Sequence, residues 1–130
     1  MTAGIEVPEH YNFAIDTVDG WARREPAKLA LLCVDQQGEK QRYTFGDLSR
    51  ESERVAGLLS ASGIRKGDRV FLLLPRIPEW WIAILACIRL GAVYSPAPTM
   101  LTEKDLSYRL PTGRFRAVVT DTENAPKFDL

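Results

Sequence analysis

The sequence is poor in the groups that carry most protein chemistry. It has one histidine, His10, and two cysteines, Cys33 and Cys87. The two thiols lack the close spacing of a metal knuckle or redox pair and fall in apolar stretches, so both read as small buried hydrophobes. His10 stands in an irregular opening stretch and reads as a solvent-exposed bystander. Neither a G-x-G-x-x-G nor a G-x-x-x-x-G-K-[ST] loop is present, so no backbone cradle for phosphates is foreseen. No G-x-S-x-G elbow marks a serine nucleophile. The carboxylates are scattered over expected helix faces and turns, where they read as solvated surface. No catalytic residue and no metal ligand is therefore assigned.

Charge of one sign is missing too. The 17 basic and 17 acidic residues cancel, which removes the bulk electrostatic reason to expect nucleic acid or an anionic membrane as a partner. No apolar run approaches the ~20 residues of a transmembrane helix. The opening MTAGIEVPEHYNF has neither a basic segment followed by an apolar run nor an Arg/Ser-rich amphipathic pattern. Neither a signal peptide nor a transit peptide is foreseen, and a cytoplasmic setting is the expectation. The 130 residues suit one domain, long enough to bury roughly two thirds of the unfolded chain's surface.

What is present centres on residues 64–98. Arg69 to Leu74 is a short apolar run entered through Lys66-Gly67-Asp68, residues 78–90 read as a helix, and Val93 to Ser95 resumes extended character. This is one parallel βαβ unit. No residue between Glu79 and Arg89 is charged, and a helix apolar all round needs partners all round. The expectation is that the chain opens a larger body, or docks onto one, which supplies that cover.

Elsewhere the punctuation is local. Residues 1–11, with Pro8, read as an extended arm. Asn12 is placed to cap a helix over 12–24, with Trp21 in its core stripe and Pro26 beyond its end. Strands near 29–35 and 41–44 flank a Gly38 turn and form a hairpin. Thr44 with Asp47, and Thr102 with Asp105, read as capping boxes opening helices over 45–62 and 102–110, the first ended by Gly63 and the second halted by Pro111. A last strand is expected at 117–120 and an irregular tail over 122–130. Gly67 is free to take a positive φ in a turn. The fold class is α/β, a mostly parallel sheet flanked by helices with an antiparallel N-terminal hairpin. Arg76, between Pro75 and Pro78 at the carboxyl end of a strand, stands where such sheets place ligand-contacting groups, with tying down its loop as the alternative.

Four blocks, Tyr43-Thr44-Phe45-Gly46-Asp47-Leu48, Lys66-Gly67-Asp68-Arg69-Val70, Leu74-Pro75-Arg76-Ile77-Pro78-Glu79-Trp80-Trp81 and Arg89-Leu90-Gly91-Ala92-Val93-Tyr94-Ser95-Pro96, occur in the order and spacing of the opening blocks of the adenylate-forming acyl-CoA synthetase superfamily, which the chain resembles. With Tyr11-Asn12-Phe13-Ala14 and Tyr108-Arg109-Leu110, the resemblance is to the medium-chain branch. It implies residues 1–130 as a truncated N-terminal part of an AMP-binding domain. The implied partners are the remainder of that large domain, the C-terminal domain and a small carboxylate substrate. It implies a two-step ligase using ATP, magnesium and coenzyme A, whose phosphate loop, ribose-binding aspartate and catalytic lysine have no counterpart in this sequence. The chain alone is thus expected to be inactive. The resemblance also sets the loop at Thr99 and Met100 near the side from which coenzyme A enters. The branch carries glutamine where Met100 stands, and the alternative is a Pro-stiffened connection with Met100 packing locally. A different class of function stays open: a non-catalytic interaction module binding a partner through the Trp80 and Trp81 surface.

Overall fold

The computed structural model describes residues 4–129; residues 1–3 of the expected arm and Leu130 of the expected tail lie outside the described residues. Two sheets are joined by helices. β1 (Leu29–Val34) and β2 (Lys40–Thr44) pair antiparallel, with Leu32 opposite Arg42 and Val34 opposite Lys40. The Asp35 carboxylate holds their turn by accepting from the Gln37 and Glu39 N–H groups, each at 2.9 Å. At the junction with α2 (Phe45–Ala61) the expected capping box is formed: the Asp47 N–H donates to the Thr44 hydroxyl at 3.0 Å, and the Thr44 N–H donates to the Asp47 carboxylate at 2.9 Å. Leu48, Ser52, Ala56 and Leu59 are its buried stripe.

The second sheet has three strands in the order β4-β3-β5, all parallel: β3 (Arg69–Leu73), β4 (Val93–Ala97) and β5 (Ala117–Thr120). The central strand is buried on both faces. Val70, Leu72 and Leu74 pack with Ala56 and Leu59 of α2 and with Ala83, Ala86 and Cys87 of α3 (Pro78–Leu90). Phe71 and Leu73, pointing the other way, meet Leu101, Leu106 and Phe115 around α4 (Glu103–Gly113). The period of two along a strand therefore sorts α2 and α3 to one face and α4 to the other. Pro96 lies in β4, on the edge of this sheet, where a missing N–H leaves no ladder bond unmade. Gly91 closes α3 at φ 68°, and a Cβ there would lie 2.9 Å from Lys66 Cγ, so both backbone conformation and space favour glycine.

Several expectations are corrected. The helix over 12–24 is two segments, a π-helical stretch Phe13–Asp19 and an α-helix, α1 (Gly20–Arg24), although Asn12 caps it as foreseen, accepting from the Ala14 and Ile15 N–H groups at 3.1 and 3.2 Å. Wide π turns shift the phase of the buried stripe after Ala14 and Val18. Trp21 thus leaves the core: half-buried, it stacks on Phe45 at 5.8 Å with Arg24 and Lys28 over its ring. Cys33 is half-buried, while Cys87 is fully enclosed.

Pro111 does not halt α4, which runs to Gly113 and ends at Arg114 with φ 51°. In the last turn the ring costs one donor, and the Thr112 hydroxyl donates to the Tyr108 carbonyl at 2.7 Å. The irregular tail contains a 3-10 turn, Ala125–Phe128, anchored where Phe128 meets Phe71 edge-on at 6.4 Å. Finally, α3 finds most of its cover within the chain, because Ala14 and Val18 join Leu48 of α2 around Ile82 and Leu85.

Candidate functional site

The connections from β3 and β4 leave the sheet in opposite directions, the first to α3 on one face and the second to α4 on the other. Where adjacent parallel strands diverge in this way a crevice opens at their carboxyl ends, the usual ligand position in open α/β sheets. Here it has a volume of about 510 Å³ and lies between Pro75, Arg76 and Trp80 on the β3 side and Pro96, Pro98 and Thr99 on the β4 side.

Thr99 and Met100 both lie at this edge. The Thr99 carbonyl accepts from Lys127 Nζ at 2.5 Å, which ties the loop to the C-terminal 3-10 turn. Met100 is 82% exposed, so the alternative in which it packs locally is corrected: Leu101, its neighbour, takes the buried position beside Leu106. Arg76 does not tie down its loop. It is exposed, and its one described partner is the Trp80 ring, whose centroid lies 5.3 Å from the guanidinium carbon. Trp80 itself is half-buried edge-on to Trp81 at 4.6 Å, and Trp81 is 40% exposed, so the tryptophan surface is narrower than the pair in sequence suggests.

A wider groove of about 790 Å³ lies between β2, α2 and the end of β5. Arg50 pairs there with Asp47 at 2.8 Å and Arg54 with Glu51 at 3.3 Å, while Arg42, Glu79 and Asp121 also line it, so both signs are present and neither dominates. The Thr44 N–H, with help from Arg50, holds the Asp47 carboxyl below the usual carboxylate range.

Neither Cys87 nor the first turns of α3 and α4 offer a ready nucleophile or phosphate site. Burial pushes the Cys87 thiol up to about 11, which keeps it protonated and unreactive at neutral pH. The first turn of α3 opens at Pro78, which has no N–H, and the Trp80 N–H donates to the Ile77 carbonyl at 3.0 Å. The first turn of α4 is filled by the Asp105 carboxylate. Neither helix start presents the cluster of free N–H groups that a triphosphate needs. Among the described residues no group of three or more histidine, cysteine, aspartate or glutamate side chains is placed to hold a metal ion. The residues present do not fit ATP with magnesium.

One polar cluster escaped the sequence reading. Arg89 and Asp19, with side chains 8% and 15% exposed, form an ion pair beneath α2. Arg89 Nη1 donates to Asp19 at 2.7 Å and its Nε donates to the Ser52 hydroxyl at 3.0 Å, while the Ser49 hydroxyl donates to Asp19 at 2.7 Å. The Arg89 hydrogen bonds, with a smaller contribution from Ser49, hold the Asp19 carboxyl below its usual range against the opposing effect of burial. The signal was available: Arg89 is the lone cation in an apolar helix, and such a charge needs a partner. The network fastens the N-terminal helical segments to α2 and α3.

The sequence matches the family described as AMP-binding enzyme over residues 18–129. It is 41% identical to the mitochondrial acyl-coenzyme A synthetase ACSM3 of Mus musculus, over 96% of this chain and 23% of the relative. It is 42% identical to the mitochondrial acyl-coenzyme A synthetase ACSM5 of Homo sapiens, over 95% of this chain and 22% of the relative. Among solved structures, the acyl-CoA synthetase of Brucella canis superimposes with a TM-score of 0.84 at 34% identity, covering 96% of this chain and 22% of that one. The N-terminal domain of FACL13 from Mycobacterium tuberculosis, bound to an inhibitor, gives 0.81 at 29% identity, over 92% of this chain and 29% of that one. The chain thus spans less than a quarter of the length of the curated relatives it matches.

Proposed function

Because this chain belongs to the AMP-binding enzymes and is similar along nearly its whole length to acyl-CoA synthetases, we propose that it is the scaffolding N-terminal part of an ATP-dependent acyl-CoA ligase and performs none of the chemistry itself. The whole enzyme activates a carboxylate with ATP to an acyl-adenylate and pyrophosphate, then passes the acyl group to coenzyme A. What supports the reading is one juxtaposition: a match to acyl-CoA synthetases along 96% of the chain, in a structure where, among the described residues, the starts of α3 and α4 hold no phosphate cradle. Preorganised donors and cations around the triphosphate are usually the largest catalytic term, and they belong to the partner segments: the rest of the large domain and the C-terminal domain. We place the enzyme in the cytoplasm, where Cys33 and Cys87 stay reduced.

A pyrophosphate-exchange assay tests this. The purified chain with ATP, magnesium and fatty acids of several lengths is expected to give no exchange above a no-protein blank. Adding the remainder of a related ligase as a separate polypeptide is expected to restore exchange. Exchange by the chain alone would refute the reading, and a mixture that stays silent while the chain captures an unrelated protein through Trp81 would favour the interaction module instead.

The same reading gives Met100 a role at the coenzyme side. In a reconstituted enzyme, Met100→Glu is expected to raise KM for coenzyme A while sparing adenylate formation, since a carboxylate there repels an incoming polyanion and the exposed side chain carries no packing. Equal losses in both half-reactions would sink this assignment.

A further inference from the structure

We propose that the amino-terminal edge of the β4-β3-β5 sheet is a docking surface for an acidic polypeptide segment, held by Arg65, Lys66, Arg69, Arg114 and Arg116. Charges that cancel over the whole chain are not spread evenly along it. The segments 65–69 and 113–116, at the starts of β3 and β5, hold these five cations and a single carboxylate, Asp68. The fold sets the two segments side by side: the Arg116 N–H donates to the Arg69 carbonyl at 2.8 Å, just ahead of the pairing of Val70 with Ala117. All five basic residues are exposed, and among the described residues none of them is ion-paired.

Part of this charge serves the fold. α2, α3 and α4 all end at this edge, each just before the next parallel strand begins, and a helix C-terminus carries about half a negative charge. Arg65 Nη1 donates to the Ser60 and Ile64 carbonyls at 2.8 and 3.0 Å, Arg69 Nη1 donates to the Gly113 carbonyl at 3.0 Å, and the Lys66 stem lies against Gly91. Five cations exceed what Asp68 and three such half-charges answer. Arg114 and Arg116 are the surplus: among the described residues their guanidinium groups have no hydrogen-bonded partner. A polypeptide fits this strip better than a bilayer or a duplex. Three strands about 4.8 Å apart make an edge ~10 Å wide, about the width of one helix or extended segment. A broader polyanion would reach past it onto the acidic residues of a chain whose net charge is zero. Arg65 and Arg69 are held through Nη1 alone, so each keeps donors at a fixed position suited to a carboxylate. Leu58, in the last turn of α2, and Val93, opposite Arg69, stand exposed at the same edge and give an apolar side chain of the partner a place.

This surface lies at the opposite end of the strands from the crevice and the Thr99 loop, so its occupant leaves both free, and its test needs neither ATP nor coenzyme A. The intact chain, labelled with ¹⁵N, is titrated with an oligoglutamate peptide and with its oligoglutamine counterpart, and the Gly67, Val93, Arg114 and Arg116 amide signals are followed beside that of Thr99. Saturating shifts at the first four with oligoglutamate, none at Thr99, and none with oligoglutamine are the expected result. The shifts are expected to fade as salt is raised. Arg114→Gln combined with Arg116→Gln is expected to weaken binding about tenfold or more, while Lys40→Gln combined with Arg42→Gln, which removes the same charge from the hairpin, leaves it unchanged. Because Arg114 and Arg116 are exposed, their replacement leaves the folded spectrum intact. Oligoglutamine binding as tightly as oligoglutamate, undiminished binding by the Arg114 and Arg116 double variant, an equal loss in the hairpin variant, or tighter binding to phosphatidylglycerol vesicles or duplex DNA than to oligoglutamate would each overturn the proposal.

Discussion

Replacing Arg89 by leucine is expected to lower the stability of the chain by ~3 kcal/mol, roughly two decades in the folding equilibrium, even though leucine suits the helix and the apolar surroundings. The loss comes from what stays behind. Asp19 would keep its charge in a mostly enclosed site with one hydrogen bond, from the Ser49 hydroxyl, and the weaker pull of the Arg23 charge to answer it, and Ser52, fully buried, would lose the Arg89 Nε–H donor. The figure is at the low end for a broken buried pair because Asp19 is still 15% exposed. Adding Asp19→Asn to Arg89→Leu is expected to recover part of the loss, since the abandoned charge is then gone. Urea denaturation of the single and double variants measures both effects; a single variant as stable as the parent would show the pair to be idle.

The same pair sets a pH dependence with a definite sign. The folded state holds Asp19 below its unfolded value of 3.8, so in mildly acidic solution the unfolded chain takes up the proton first. The contribution is fully present above that unfolded value and fades as pH falls through the lower folded one. The difference in urea midpoint between the parent and Asp19→Asn is therefore expected to shrink as pH drops below about 4, in line with that linkage.

The second large effect is expected at Phe71. Phe71→Ala should cost ~3–5 kcal/mol, the usual range for emptying an aromatic site in a core. Phe71 meets Phe115 edge-on at 5.0 Å and Phe128 at 6.4 Å, while Leu101 and Leu106 complete the cluster. Because Phe128 hangs on this ring, hydrogen exchange in the Ala125–Phe128 turn is expected to accelerate as well. Near-UV circular dichroism and exchange on the variant check the two parts. A loss under ~1 kcal/mol would mean that the face under α4 repacks freely.

Residues differ in how openly the sequence declares their roles, and the difference follows range. Thr44 with Asp47, and Thr102 with Asp105, were legible because a capping box closes within three residues, and the uncharged run before Arg89 announced α3 for the same local reason. The parallel pairing of β3 with β4 followed from the helix between them. Trp21 was misread because stripe counting assumes α-helical turns and the segment before it winds wider. Pro111 was misread because proline forbids one hydrogen bond rather than a helix. Arg89 and Asp19 were missed because their meeting depends on three helices packing together. At the candidate site, Thr99 and Met100 could be assigned to a strand's carboxyl edge from sequence. That Arg76 stands in a crevice needed the opposite departures of α3 and α4, which no local pattern contains.

The proline in β4 has a consequence for how this sheet relates to any further backbone. A strand laid along β4 from outside would find a gap in the ladder at Pro96, where the ring supplies no hydrogen to donate. β5, Ala117-Val118-Val119-Thr120, carries no such interruption on the opposite margin. The three strands thus have a blunted border and an open one, and Val118, exposed on that open border, belongs to the side on which the sheet is able to widen.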